Sequence, residues 1–121
     1  MGENFWKDKT ARRLSKRQGD ARRKLLEIED RKARGVNLVS GVPDNELIFV
    51  AEARVALTRL DARRYRAIVE QNAPDLEAAL SGFEQLREQL AAYPTQSAVI
   101  QEEIDQMLRR IRVATILSDA A

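Results

Sequence analysis

"DNELIFVAEARVALTRLDARRYRAIVE", residues 44–70, decides the fold. At about 3.6 residues per turn, Val50, Ala53, Leu57, Leu60 and Ala67 fall on one stripe. Ile48, Ala51, Val55, Ala62, Tyr65 and Val69 fall on a second. A surface helix needs only one apolar stripe, so two predict a helix packed between neighbours. This segment is the central helix, and the remainder of the chain must supply the helices that cover it.

Working outward toward the C-terminus, "QNAPDLE" breaks the helical pattern. Pro74 cannot continue a helix but suits the first turn of a new one, and Asn72 with Asp75 three residues later resembles a capping box. The next helix carries Leu76, Ala79, Phe83, Leu86, Leu90 and Tyr93 on one face. "AYPTQS" breaks the pattern again, with Thr95 as the expected cap, and the last helix repeats Ile100, Ile104, Met107, Ile111 and Ala114, widened by Leu108 and Leu117. The boundaries read as about 45–72, 73–92 and 96–118. On the N-terminal side, "VNLVSGVPDNE" (36–46) is a connector with Gly41 and Pro43, and Asp44 or Asn45 is the expected cap of the central helix. No stretch alternates with period two. The expected class is all-α: a helical bundle or long-hairpin array, with a body at 36–121 and a basic N-terminal helical arm at 1–35.

That arm contains "KDKTARRLSKRQGDARRKLLEIEDRKARG" (7–35). Residues 1–35 hold twelve Lys/Arg against six acids, a balance of +6. The other 86 residues hold nine Arg against thirteen acids, −4, so the overall +2 conceals a basic segment on an acidic body. Ala11, Leu14, Ala21, Leu25 and Ile28 share a face, with Gln18 at the missing step. Residues 20–34 read as a firm helix started by Asp20 and stopped by Gly35; residues 4–18 read as a marginal one, weakened at Gly19.

Composition narrows the chemistry. With 121 residues the chain is one domain by size, with a modest core and about two-thirds of its surface buried on folding. There is no Cys and no His, which removes disulfides, thiolate metal sites and the commonest general base. Carboxylate pairs at helical spacing, Glu27 with Asp30 and Glu102 with Asp105, fit solvated faces better than a metal site; a third pair, Glu84 with Glu88, is one step wider. "RRLS", ending at Ser15, matches a basophilic kinase site of a kind that recurs by chance in basic segments. No phosphate-binding glycine loop, dinucleotide fingerprint or nucleophile elbow is present, and helix 73–92 carries acids where a base-reading helix would not. No catalytic residue, metal ligand or cofactor is expected. Without an apolar run of about 20 residues or a signal-peptide pattern, and with Trp6 where a myristoylation motif needs Ser or Thr, the expected location is cytoplasmic, without a membrane.

The candidate contact residues are Phe5, Trp6, Arg12, Arg13, Lys16, Arg17, Arg22, Arg23 and Lys24. Cations on several sides of a helix can follow a phosphate backbone, and aromatics can stack on unpaired bases. Against this, Asp8, Asp20, Glu27 and Asp30 can pair along the helix and dilute the field, and Lys and Arg stems cover a helix stripe while their heads stay in water. Trp is also over-represented among residues that dominate protein interfaces. The expected function is therefore a small non-enzymatic helical interaction or regulatory protein that binds a protein partner. The surplus of apolar residues in the last helix (Val99, Val113 and Ile116 with those above) points to a homo-oligomer. The alternative is an accessory nucleic-acid-binding protein that uses the arm.

Overall fold

The computed structural model describes residues 8–35 and 42–120, with side chains through Arg110. Among the described residues four helices follow one another: α1 (Lys9–Ala33), α2 (Asp44–Val69), α3 (Ala73–Leu90) and α4 (Ala98–Ala120). No strand occurs among the described residues, so the class is all-α. Phe5, Trp6 and the connector residues 36–41 lie outside the described residues, as do the side chains of Ile111, Val113, Ile116 and Leu117.

α2 is the central element, in contact with each of the other three helices. Ala53 and Leu57 from its first stripe join Phe83, Leu86 and Leu90 of α3 and Ile100 and Ile104 of α4 in one buried cluster. Phe49, Val50, Ala56, Leu60, Met107 and Leu108 pack around it, and the Phe49 and Tyr93 rings meet at 4.9 Å, tilted by 59°. Offset, tilted rings are the arrangement that aromatic quadrupoles favour. From the second stripe Ala51 and Val55 are buried, on the side that α1 covers with Ala11, Leu14 and Ala21. Each neighbouring pair is also cross-tied by an arginine. Arg63 donates to Asp75 Oδ1 from Nε (2.9 Å) and Nη2 (2.6 Å) between α2 and α3, and Arg87 joins Asp105 (3.0 Å) and Gln101 (2.6 Å) between α3 and α4.

α1 runs unbroken from residue 9 to 33, which corrects the reading of a helix started at Asp20 and frayed before Gly19. Gly19 has open space around it, so its cost is only the roughly 1 kcal/mol of an interior glycine. The cap at the other end offsets that cost: Asp8 accepts from Thr10 N at 2.8 Å. Gly35, at φ 74°, ends the helix as expected, its N–H donating to Lys32 O.

Two expected caps are also displaced. Asp44 and Asn45 lie inside α2, whose N-cap is Pro43; Asp44 and Glu46 instead place their charges in the first turn. Ser97, not Thr95, precedes α4: it is fully buried, shares its one hydroxyl proton between Tyr93 O (2.7 Å) and Leu90 O (3.1 Å), and accepts from Gln101 Nε2 (2.8 Å). Asn72 caps α3 as expected, accepting from Asp75 N at 3.1 Å. Before it, Gln71 adopts φ 54°, a left-handed conformation that disfavours side chains with a Cβ. Gln71→Gly should therefore raise unfolding stability by about 0.5–1 kcal/mol, offset in part by the greater freedom of unfolded glycine. A urea midpoint unchanged or lowered at constant m would refute this.

Candidate functional site

The first half of α1 turns two different faces to its surroundings. Ala11 and Leu14 point into the α2 interface, and Lys9, Arg12, Arg13 and Lys16 are exposed. No acid stands between residues 9 and 19, and these four cations form no ion pair among the described residues. The acids expected to dilute them are committed elsewhere or lie further along. Asp8 is the cap, Asp20 pairs with Arg23 (3.2 Å), Asp30 pairs with Arg34 (3.1 Å), and Glu27 and Glu29 belong to the second half. Of the other candidates, Arg22 is exposed and Lys24 sits at the edge of a groove.

Arg17 has a different fate. Its Nη1 donates to Asp61 Oδ2 (3.4 Å) on α2, and its Nη2 to Glu103 Oε2 (3.3 Å) on α4. Asp61, with a side chain only 6% exposed, also accepts at Oδ1 from Arg64 Nε (3.2 Å) and Nη2 (2.9 Å). One buried carboxylate thus gathers two guanidiniums, and Arg17 ties three helices together. Sequence reading missed Asp61, Arg64 and Glu103. The available signal was that Thr58 and Asp61 fall beside or between the two apolar stripes of α2, on the arc that a sandwiched helix buries.

Above this knot lies a cleft of about 210 Å³ between α1, α2 and α4, lined by Thr10, Arg13, Leu14, Arg17, Asp61, Arg64, Met107 and Arg110. A second depression of about 220 Å³ runs between α1 and α2. It is floored by Ala21, Ile28, Leu47, Val50 and Ala51 and edged by Lys24, Arg54 and Gln96, and neither Lys24 nor Arg54 pairs with an acid among the described residues.

The N-terminus of α1 is locked to α2 by Tyr65, whose hydroxyl donates to Asp8 Oδ2. This hydrogen bond, aided by the Thr10 amide, holds the Asp8 carboxyl below the ordinary aspartate range and pushes the Tyr65 phenol up. Asp8 therefore contributes stability that is present above the ordinary aspartate range and lost as pH falls through its lowered value. Tyr65 contributes stability below the ordinary tyrosine range, lost as pH rises through its raised value. Tyr65→Phe should move the Asp8 titration midpoint upward and shrink the stability that is lost as pH falls from the ordinary aspartate range to that midpoint. An NMR titration in which the midpoint stays put would contradict the lock.

The described residues include no cluster of three or more carboxylates able to hold a metal, and Asp105 and Asp30, each from an i,i+3 pair, are bound to arginines. No described helix is long and apolar enough to cross a membrane. Compared with known protein families, with curated proteins and with solved structures, the chain matches none.

Proposed function

We propose that this is a small non-enzymatic helical interaction protein that engages a protein partner along the face shared by α1 and α2. The observation that carries the reading is the groove between these helices. It offers an apolar floor of Ala21, Ile28, Leu47 and Val50 with the unpaired cations Lys24 and Arg54 on its edges. That chemistry fits an amphipathic helix whose apolar side chains enter the groove and whose acids meet the two cations. Self-association through the apolar surplus of α4 belongs to the same proposal, as does a regulatory role exercised from the cytoplasm.

The test is capture of partners by the tagged full chain from its source cells, with nuclease present. A protein retained in fixed stoichiometry by the wild type, and lost with Lys24→Glu/Arg54→Glu, is the expected result. Retention unaffected by those changes would refute the groove, and loss of every protein on nuclease treatment would refute the reading as a whole. A second reading, an accessory nucleic-acid-binding protein, is favoured by one observation: Lys9, Arg12, Arg13 and Lys16 are unpaired on an acid-free half of α1. Such a surface attracts phosphates by counterion release.

A further inference from the structure

We infer that the cleft above Asp61 is a binding site for a single phosphate group. Arg13 and Arg17 of α1, Arg64 of α2 and Arg110 of α4 line it, with Asp61 as its one acid and Thr10 at its margin. Four guanidiniums drawn from three helices meet two carboxylates, Asp61 in the cleft and Glu103 on Arg17, and the excess positive charge attracts an anion. Asp61 neutralises part of this charge and holds Arg17 and Arg64 in fixed positions through hydrogen bonds of 2.9–3.4 Å. Each guanidinium has five N–H donors, so most of those on Arg17 and Arg64 stay uncommitted. Arg13 and Arg110 make no ion pair among the described residues, leaving their planar forks free for oxyanion geometry.

Size narrows the ligand. The cleft, of about 210 Å³, has room for one phosphate and part of an ester. The outward cations Lys9, Arg12 and Lys16 do not line the cleft. The site therefore shares only Arg13 with the exposed basic face and is independent of the partner-binding groove. The phosphate can be free, as the inorganic ion or a small monoester, or belong to a nucleic-acid backbone.

Calorimetry on the full chain at low ionic strength, with inorganic phosphate, pyrophosphate and a 20-residue oligonucleotide lacking terminal phosphates as separate probes, tests this. Two variants of equal net charge are compared: Arg13→Ala/Arg110→Ala in the cleft and Arg12→Ala/Arg109→Ala outside it, both of the latter arginines being exposed and absent from the cleft lining. The expected result is saturable binding of a phosphate probe by the wild type and the outside variant. The cleft variant should bind at least tenfold more weakly while melting at the wild-type temperature. Cleft-dependent binding of the oligonucleotide alone would support the site with a polymer as the source. Lack of binding to every probe, or equal losses in both variants, would overturn the proposal, the latter by reducing it to a diffuse field.

Discussion

Leu57→Asp is expected to destabilise the protein by about 3–5 kcal/mol, enough to lower the thermal midpoint by more than roughly 10 °C. Leu57 is fully buried at the centre of the cluster shared by α2, α3 and α4. The new carboxylate would enter a neighbourhood whose members are Ala53, Phe83, Leu86, Leu90, Ile100 and Ile104, none able to pair with it. It must take up a proton, drag in water or split the cluster, and each route costs several kcal/mol. A chain of this size has only on the order of 5–15 kcal/mol to lose. Chemical denaturation showing a midpoint within error of the wild type would refute the assignment of α2 as the central helix.

Asp61→Ala should cost about 2–3 kcal/mol, below the 3–5 kcal/mol typical of breaking a fully buried pair. The discount follows from exposure: the Arg17 and Arg64 side chains retain 40% and 25% of their accessible surface and can be partly rehydrated when Asp61 is gone. Arg17→Ala should cost less, about 1 kcal/mol, because Asp61 then keeps Arg64. The double variant should fall short of the sum of the two, a coupling that a thermodynamic cycle measures directly. Fully additive effects would mean that Arg17 and Asp61 do not share a bond in solution. Hydrogen exchange adds a local readout: Asp61→Ala should accelerate exchange in α1 more than in α3, because Arg17 is the tie that the loss of Asp61 releases.

The fold was legible in the chain wherever apolar period and a helix breaker coincided. The two stripes of residues 44–70 imposed a central helix, and Asn72 with Pro74 marked the start of α3, because both signals are local. Readings that depended on competition between local signals fared less well. Gly19 and Asp20 look like a helix boundary in isolation. The burial of Ala11, Leu14 and Ala21 against α2 carries α1 through them, and no local pattern reports how strongly α2 holds those positions. Ser97 displaced Thr95 for a similar reason, since its hydroxyl reaches back to carbonyls of the α3 end that sequence spacing alone does not bring near.

The site was legible only as a composition. The basic segment was plain, but the division of its cations was not. Arg17 turns inward because Asp61 and Glu103 wait for it, 44 and 86 residues away along the chain. Lys9, Arg12, Arg13 and Lys16 stay outward and unpaired. The expected dilution by acids fails in the first half of α1, where Asp8 is consumed by the cap and by Tyr65. That finding strengthens the nucleic-acid alternative without giving it a groove or base-reading side chains, whereas the α1–α2 groove offers a protein partner both an apolar floor and charge.

The most direct test of the partner reading against its rival is a salt titration of binding to generic DNA and RNA. The wild type is compared with Lys9→Glu/Arg12→Glu/Arg13→Glu/Lys16→Glu, and Arg17 is left in place because it holds Asp61. The expected result is weak binding at low salt, falling about tenfold or more toward physiological salt, to a level at which the variant and the wild type no longer differ. A tight complex that persists at physiological salt and disappears in the variant would contradict it.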